Sequence, residues 1–506
     1  MTNQVVAYSR ENGGRVLLLF LLFFLAIYQL ITIGFPAFAI ICILPFIVLF
    51  GYWTFKFRMF AFWLLFVINY FIQFHNLPPL PIPTSLPNEM LQMLLLGIAI
   101  IDVRQTPHFE RSINLMLIAL VIWCTYCTIE VLNDTCGLGI NIGAWYSGAR
   151  MMAFQLLYIF LVFSIYISSP EILIKYLKLW AILTLFSAFW TWKQQHLGLT
   201  PAETSFLYGR GSTTHLLQGG TLIRYWSTFS DAANYGCNAA GAAVAFLVFG
   251  ITSKIKKDKI FFLIIGILVI KSMFASGTRT AIFCMFAGFA IFIVLSKSIK
   301  IAIPASILGG IILFVLAFTN IGQGNQQIRR MRSAFNKDDA SGNVRTINQA
   351  TMKKYMRDAP WGIGIGMGND NVPANNKFRK MATIPPDSEY VFIWLRAGKI
   401  GITLFIITML IMLGGACYIV MFILKNPSLI GIGGGLCSAF VAIQLGGYAN
   451  QVLMQFPNSL IFYGGLSIVY ILPYLEPAWV EYEKKQLAIQ EEKKRIKLEK
   501  KLASRV

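Results

Sequence analysis

The sequence predicts an all-α fold, a polytopic integral membrane bundle of helices, from three observations. Of its 506 residues, 57% are hydrophobic and only 13% are charged, a balance that is unusual for a soluble protein. Apolar runs of roughly 18 to 25 residues, the length of helix that crosses a ~30 Å hydrocarbon core, recur along nearly the whole chain. Many basic residues stand in short segments between those runs, as in the loops of membrane proteins.

About fourteen transmembrane helices are predicted from the apolar runs. They lie near residues 16–33, 37–55, 59–74, 89–101, 112–131, 150–168, 178–195, 232–252, 260–276, 280–296, 301–319, 400–424, 429–447 and 458–475. With the N-terminus inside, the basic short loops all fall on the cytoplasmic side, as the positive-inside rule requires. Those loops are residues 56–58, 102–111, 169–178, 253–259 and 296–300. An even number of spans returns the C-terminus to the cytoplasm as well.

This topology divides the chain into four regions. Residues 1–319 hold helices 1 to 11 with a short outer loop at 196–231, and residues 320–387 form a large, partly helical periplasmic loop. Residues 388–475 hold an outer-face helix and helices 12 to 14, and residues 476–506 form a cytoplasmic charged tail. We predict that the tail is a helix near anionic lipid headgroups, with a partner-binding helix as the alternative.

Composition also bears on cofactors and partners. The net charge of +21 does not indicate nucleic-acid binding, because the basic residues are scattered between apolar segments. The eight cysteines show no metal spacing. Cys124 and Cys127 form a C-x-x-C inside an apolar run, where small packing residues are the better interpretation. We predict no metal, no cofactor and no nucleic acid.

The large outer loop departs from the usual charge distribution. Residues 320–387 carry eleven basic and five acidic side chains. Long loops are translocated regardless of charge, so one interpretation is a solvated or headgroup-contacting surface, and the other is an anion site. More basic residues stand at the outer ends of spans, namely Arg150, Arg210, Arg224, Lys271, Arg279 and Arg396. Guanidinium groups converging on one face suit a phosphate or a pyrophosphate.

Three sequence patches border the outer segments. They are RYWSTFSDAANYG (224–236), SGTRTAIF (276–283), and GNVRTINQATMKKYMRDAPWGIGIGMG (342–368) followed by PPDSEYVFIWLRAGKIG (385–401). Their order and content resemble the O-antigen ligase and O-antigen polymerase superfamily. Its members show an R-x-x-G-x-F-x-x-P-N patch, an S-x-S-R-x-A patch, an arginine-bearing helix before P-x-x-G-x-G, and H-N-x-Y-L leading to G-x-I-G. The resemblance covers roughly residues 220 to 425.

The resemblance implies roles for particular residues. It carries Arg224, Arg279 and Arg345 onto the family's arginines, which would bind the donor pyrophosphate, and Asn234 onto the P-N asparagine as a supporting residue. Arg210 and Lys271, near the same span ends, are predicted to support this site. The family's glycine and proline are replaced by Ser227 and Ala233.

One departure concerns the family's His-Asn pair. Counting back from G-x-I-G, the pair falls on Asp387 and Ser388, so the ligase histidine is absent. Asp387 and Glu389 become the candidate catalytic carboxylates that accept the acceptor's proton. Asp387 has the alternative role of capping the following helix, and His196 and His215 are alternative bases or ordinary loop residues.

The glycine loop, residues 362–368, has a glycine at every second position but lacks the spacing of a nucleotide-binding loop. It follows a predicted amphipathic helix at about 344–357, which ends before Pro360. Its glycines would let the backbone pass close to a helix end or to a glycan, or would form a flexible turn without ligand contact.

The function implied by the resemblance is a glycosyltransferase in the bacterial inner membrane. It would polymerise polyprenyl-pyrophosphate-linked repeat units of a surface polysaccharide, such as O-antigen or capsule. The alternatives are an O-antigen ligase or protein O-oligosaccharyltransferase, and a lipid-linked glycan transporter or flippase. The implied partners are the lipid-linked donor and acceptor, the bilayer and other polysaccharide-assembly proteins.

Overall fold

The computed structural model describes residues 13–77, 85–101, 109–217, 222–333 and 340–503. These residues are predominantly helical, which confirms the all-α class. Within them, the only sheet is the antiparallel pair β1 (Leu216–Leu217) and β2 (Leu222–Ile223).

The chain divides into two compact units, residues 1–64 and 65–506. The first unit contains α1 (Gly13–Thr32) and α2 (Phe35–Lys56), which pack against each other. It also contains the start of α3 (Arg58–Phe71).

The second unit is a bundle that carries short helices at one end. In chain order its helices are α4 (Leu86–Ile101), α5 (Leu115–Ile129), α6 (Ile142–Ala149), α7 (Gln155–Tyr166), α8 (Pro170–His196), α9 (Pro201–Tyr208), α10 (Ser212–His215), α11 (Ala232–Thr252), α12 (Lys256–Ala275), α13 (Arg279–Leu295), α14 (Ile299–Phe318), α15 (Gln326–Arg332), α16 (Ala340–Tyr355), α17 (Arg379–Thr383), α18 (Glu389–Tyr418), α19 (Pro427–Ala449) and α20 (Gly464–Ala503). Short π-helical turns at Arg150–Phe154, Ile419–Ile423 and Ser459–Tyr463 join α6 to α7, extend α18 and precede α20.

Helix α11 lies at the centre of the bundle, against α12, α13 and α19. Its sequence, AANYGCNAAGAAVAFLVFGIT, is rich in alanine and glycine, which let helix backbones approach closely. At Gly241 a Cβ would lie 2.8 Å from the ring of Phe462, and at Gly250 one would lie 2.6 Å from Leu263 Cγ. Small residues therefore set the spacing of these helices.

Seven helical stretches among the described residues are long and apolar enough to cross a membrane, or eight if Leu44–Lys56 and Arg58–Phe71 form one bent span. The seven are Leu115–Leu132, Ile142–Tyr166, Pro170–His196, Ala232–Thr252, Glu389–Ile423, Pro427–Ala449 and Ser459–Lys497. The fourteen predicted spans are therefore not confirmed. Helices α3, α4 and α13 have only 14, 16 and 17 residues. At 1.5 Å per residue they are shorter than a ~30 Å hydrocarbon core.

Segments predicted to share a side of the membrane contact one another. At the end of the bundle that we call the tail face, Lys178 pairs with Asp258 at 2.7 Å and Lys254 pairs with Glu483 at 2.8 Å. The opposite end carries the two long segments predicted at 196–231 and 320–387, and we call it the loop face.

One predicted boundary on the tail face is wrong. Residues 169–178, predicted as a loop, form the first turns of α8. Ser169 caps this helix by accepting the Ile172 N–H, and Pro170 takes its first position. A serine before a proline is a strong start signal for a helix, and it overrides the polarity of the segment.

The long loop-face segments have apolar cores of their own. In the first, Leu207, Trp226 and Ala232 are fully buried together. In the second, the core includes Met352 and Met381. Both segments are therefore held together by buried apolar side chains, and this packing fixes the positions of the other side chains that they carry.

Candidate functional site

Arg224 interlocks the first two sequence patches on the loop face. Its Nε donates to Ser276 O at 3.3 Å, its Nη1 to Thr214 O at 2.9 Å, and its Nη2 to Thr278 Oγ1 at 3.0 Å. Thr278 Oγ1 in turn donates to Ala232 O at 2.7 Å. These contacts use three of the five guanidinium N–H groups and orient the side chain.

Two further arginines lie within electrostatic reach of Arg224. The pKa of Arg224 is lowered to about 10, chiefly by burial and also by Arg330 and Arg279, against the opposing effect of the Asp231 carboxylate. Arg279 is the first residue of α13, and its Nη1 donates to Ser333 Oγ at 3.5 Å. Arg330 lies on α15. A guanidinium with this pKa stays charged at neutral pH. These three residues, here called the arginine cluster, therefore bring guanidinium groups together in one region of the loop face.

The backbone of the first patch explains two departures from the family pattern. Ser227, in place of the glycine, has a φ of 58°, in the left-handed region that favours glycine. Ser227 Oγ donates to Ser187 O at 2.6 Å, and the Ser227 N–H donates to Gln194 Oε1 at 3.0 Å. Ala233, in place of the proline, is the second residue of α11, where a proline is tolerated. The backbone at both positions is one that glycine and proline, respectively, could also adopt.

A segment that the sequence did not single out joins the patches. Residues 450–458, here called the bridge segment, connect α19 to the π-helical turn before α20. Asn450 Nδ2 donates to Thr280 Oγ1, next to Arg279, at 3.3 Å, and Asn234 Nδ2 donates to Phe456 O at 3.0 Å. Asn234 is fully buried. Its supporting role is therefore to fasten the bridge segment.

The two candidate carboxylates have different environments. Glu389 is 3% exposed, and its Oε2 accepts the Leu453 N–H at 3.1 Å, so it anchors the bridge segment. Asp387 is half-buried, and its carboxylate accepts no hydrogen bond from any described residue. Ser388 is the N-cap of α18, and its Oγ donates to Gly447 O at 3.1 Å. The expectation that Asp387 caps this helix is therefore wrong, because the helix begins one residue later.

The backbone of the glycine loop packs closely against both α6 and α18. Gly362, Gly364 and Gly366 have φ values of 83°, 104° and 85°. A Cβ at Gly366 would lie 1.8 Å from Ala144 O, and one at Gly362 would lie 2.3 Å from Arg396 O. The Gly364 N–H donates to Arg396 O at 3.1 Å. The predicted close passage of the loop backbone to a helix is confirmed.

A family model matches the part of the chain that contains Arg279, Arg345 and the glycine loop. Residues 261–406 match the family model described as O-Antigen ligase. The resemblance to the O-antigen ligase and polymerase superfamily is confirmed. No curated protein matches the chain. The superfamily match, with the long apolar helices, indicates a multi-pass membrane protein with a glycan-transferring function of the ligase or polymerase type.

Three other basic residues predicted for the superfamily site lie outside the arginine cluster. Arg345 is half-buried on α16, and nothing in the described part of the chain ties it to Arg224 or Arg279. Arg210 is exposed near His75, whose pKa it lowers together with burial. Lys271 is exposed on α12 and lines a groove against α8. Their roles toward the pyrophosphate stay predictions.

Part of the positive charge of the large loop has structural uses. Arg332 Nη2 donates to Val315 O at 3.0 Å, and so it satisfies a carbonyl at the end of α14. Arg379 donates to the carbonyls of Asn369 and Val372 within its own segment. Some basic residues of this loop are therefore engaged in hydrogen bonds within the fold, so the charge that is open to a ligand is smaller than the residue count indicates.

No group of three His, Cys, Asp or Glu side chains that could hold a metal occurs among the described residues. Catalysis without a metal stays a prediction.

His215, one of the alternative bases, is a buried structural residue. Its Nε2 accepts the Ala232 N–H at 3.1 Å, and its Nδ1 lies 3.1 Å from Gly211 O. Burial and then the Arg224 guanidinium lower the pKa of His215 to about 4, against opposing effects that include Asp231. The neutral ring is thus required for the first turn of α11.

Stability should therefore fall with pH below the ordinary histidine pKa. In the unfolded chain His215 binds a proton near pH 6.5, whereas in the folded chain it does so only near pH 4. The free energy of unfolding therefore falls by up to about 3 kcal/mol as the pH is lowered through that window. Thermal unfolding of the solubilised protein at a series of pH values measures this effect. His215→Gln should flatten the profile, while His196→Gln, at an exposed position, should leave it unchanged. An unchanged profile for His215→Gln would contradict the assignment.

Proposed function

We propose that the protein polymerises polyprenyl-pyrophosphate-linked oligosaccharide repeat units at the outer face of the bacterial inner membrane. The observation that carries this proposal is that Arg224 binds Ser276 and Thr278, which directly precede Arg279, at the loop face of a bundle of apolar helices, with Arg330 within electrostatic reach. Arginine binds phosphate oxygens through two parallel N–H···O bonds. A donor delivered by its own lipid brings an activated sugar, so no nucleotide is needed at that face.

The transfer exchanges one bond at the anomeric carbon for another and moves one proton. The oxygen of an acceptor hydroxyl attacks the anomeric carbon of the donor, the bond from that carbon to the pyrophosphate oxygen breaks, and polyprenyl pyrophosphate leaves with the electron pair. The hydroxyl proton passes to Asp387. Arg224, Arg279 and Arg330 stabilise the charge that develops on the leaving group, which is usually the largest catalytic contribution. The superfamily pattern adds Arg345 to this role.

Substitutions should distinguish the roles of the two carboxylates by their effects on transfer rate and unfolding temperature. Asp387→Asn should lower the rate constant for transfer while leaving the unfolding temperature close to that of the parent, because the removed group is a half-buried base without a structural hydrogen bond. Glu389→Gln should lower the unfolding temperature and activity together. The carboxylate accepts backbone N–H groups of Leu453, Met454 and Val452, whereas a glutamine amide has one accepting oxygen and would turn its NH₂ towards a donor. Initial rates and thermal unfolding of the purified variants measure both effects.

Two outcomes would change the assignment of the base. If Asp387→Asn transfers at the parental rate and a stable Glu389→Gln does not, then Glu389 accepts the proton. If both variants are active, the proton goes to water or to another group, and the proposed mechanism loses its base.

We assign the loop face to the periplasm and both termini to the cytoplasm, on the support of the basic short loops at the opposite end. Cysteine introduced at Asn325 should react with a membrane-impermeant maleimide in intact cells. Cysteine introduced at Ala503 should react only after lysis. The parent protein, which has eight native cysteines, supplies the background. Labelling of Ala503 without Asn325 would reverse the topology and remove the proposed site from the periplasm.

A ligase is the second candidate function, because the matching family model carries that description. We prefer the polymerase because Asp387 stands at the position where the ligase pattern has its histidine. Mass analysis of the lipid-linked glycans that accumulate in a deletion strain tests the choice. Single repeat units are expected for a polymerase, whereas accumulated full-length polymer would identify a ligase, and accumulation of neither would contradict glycan transfer.

A further inference from the structure

The Arg396 side chain on α18 carries a guanidinium group that the proposed mechanism does not use. Its Nε and Nη1 atoms are buried and donate to no acceptor among the described residues. Arg396 forms no ion pair within that part of the chain, and its Cζ lies 5.4 Å from the centroid of the Phe392 ring. Burying a charged donor without an acceptor costs free energy, so a native protein rarely keeps one without a use for it.

The glycine loop leaves this guanidinium uncovered on one side. A Cβ on Gly368 would lie 3.4 Å from Arg396 Nη2 and 3.9 Å from Nη1, so glycine keeps the space beside these atoms free of a side chain. Arg396 and Gly368 are half-buried, and the next residue of the loop, Asn369, is exposed. The route from the loop face to the guanidinium therefore passes Gly368.

A second guanidinium flanks the turn at residues 368–372. Arg379 donates to the carbonyls of Asn369 and Val372 and so holds this turn in place. Asp370, the acidic residue of the turn, is exposed and pairs with neither arginine in the described part of the chain. We call Arg396, Arg379 and this turn the Arg396 site. Its two guanidinium groups are available to an anion from outside the fold.

The Arg396 site lies on a different helix from the arginine cluster and away from the proposed base. Arg396 comes seven residues after Glu389, or about 10 Å along α18. Gly398, with a φ of 68°, interrupts the helix just beyond it. Asp387 precedes the helix, so its separation from Arg396 along the helix is roughly the length of two sugar residues. A group bound at Arg396 therefore belongs to a part of the glycan away from the bond that forms.

We propose that the Arg396 site binds a carboxylate of the glycan, so that the protein selects an acidic repeat unit. This inference rests on the proposed function and adds the class of sugar. A planar carboxylate matches one guanidinium fork through two parallel N–H···O bonds, and it supplies the acceptor that Nη1 lacks. A pyrophosphate spreads more charge over more oxygens, which suits several arginines rather than one.

Arg396→Met tests whether the guanidinium binds a ligand or stabilises the fold. The substitution removes a buried charge without acceptors, so the unfolding temperature of the ligand-free protein should stay at or above the parental value. A fall of several degrees would show that Arg396 is a structural residue and would overturn the proposal. Lys399→Met, at an exposed position on the same helix, is the matched control.

Titration with a soluble oligosaccharide tests the class of ligand. The repeat unit is released from its lipid by mild acid, and part of it is treated so that its carboxyl groups become primary alcohols. The parent should bind the acidic form about 10- to 100-fold more tightly than the reduced form, the range expected for a hydrogen-bonded charged pair. Arg396→Met should bind both forms with the affinity of the reduced one. Arg396→Lys should fall between them, and Lys399→Met should match the parent.

Other results would overturn the Arg396 site. A repeat unit without carboxyl groups, or equal affinities of the parent for the two forms, would remove the proposed ligand. Weaker binding of glycan-free polyprenyl pyrophosphate by Arg396→Met would assign the pyrophosphate to this site instead. Discrimination between the two oligosaccharides by a parent that forms no polymer would support the site and contradict the proposed function. Polymer formation by a parent that does not discriminate would overturn the site alone.

Discussion

Replacing Arg279 with lysine is expected to reduce the rate of glycan transfer by about 10²- to 10³-fold, the usual cost of removing one donor that stabilises transition-state charge. Lysine keeps the charge but lacks the planar fork that holds two phosphate oxygens. Arg224→Lys should reduce transfer at least as much, and it should also lower stability, because Arg224 holds the carbonyls of Thr214 and Ser276. Initial rates of polymer formation from a purified lipid-linked repeat unit measure the loss.

The control is the same substitution at Arg329, which neighbours Arg330 on α15 but is exposed. Arg329→Lys should transfer at the parental rate. Arg345→Lys tests the third arginine that the superfamily pattern implies. Parental rates for both Arg224→Lys and Arg279→Lys would show that the cluster does not bind the pyrophosphate.

Replacing Gly366 with alanine is expected to destabilise the protein by about 2 to 5 kcal/mol, from the left-handed backbone and the overlap together. The added Cβ would lie 1.8 Å from Ala144 O, a backbone atom that cannot move without shifting α6. The glycine loop would separate from α6, and the register of α18 against the loop would be lost. Thermal unfolding and the yield of monodisperse protein in detergent measure this effect.

Substitutions at two other glycines separate the cost of the left-handed backbone from the cost of the overlap. Gly139 has a φ of 77° with nothing within 4 Å of its added Cβ, so Gly139→Ala should cost only the backbone contribution of about 1 to 2 kcal/mol. Gly368 has no positive φ, and its nearest neighbour would be Arg396 Nη2 at 3.4 Å. Gly368→Ala should be nearly neutral. Equal losses at Gly139 and Gly366 would show that close packing of the loop is unimportant.

Local features of the fold were predictable from the sequence. The amphipathic helix expected at about 344–357 is present as Ala340–Tyr355, and it ends before Pro360 as expected. Helix starts were less well predicted where a polar segment looked like a loop, as at Ser169. The fourteen spans are not confirmed, because apolar composition does not show how long each helix is.

The candidate site was predictable only in part. The arginines at 224 and 279 were found because their patches have recognisable residue types and order. Arg330 was only one of eleven basic residues in its loop, and Asp231 was overlooked although Ser-Asp before Ala-Ala is a helix-start signal. The bridge segment had no signal at all, because its role depends on hydrogen bonds to residues distant in sequence.

The sequence by itself determined that this protein is helical, that it belongs in a membrane, and which patches resemble the superfamily. Hydrophobicity, loop charge and short motifs are local properties, and each can be read without knowing what lies beside it. Only the tertiary structure decided that Arg224 meets Ser276, 52 residues away, and that Asn234 fastens Phe456, 222 residues away. Which distant polar groups become partners depends on how the helices pack, because a buried group must find a hydrogen bond wherever the fold places one.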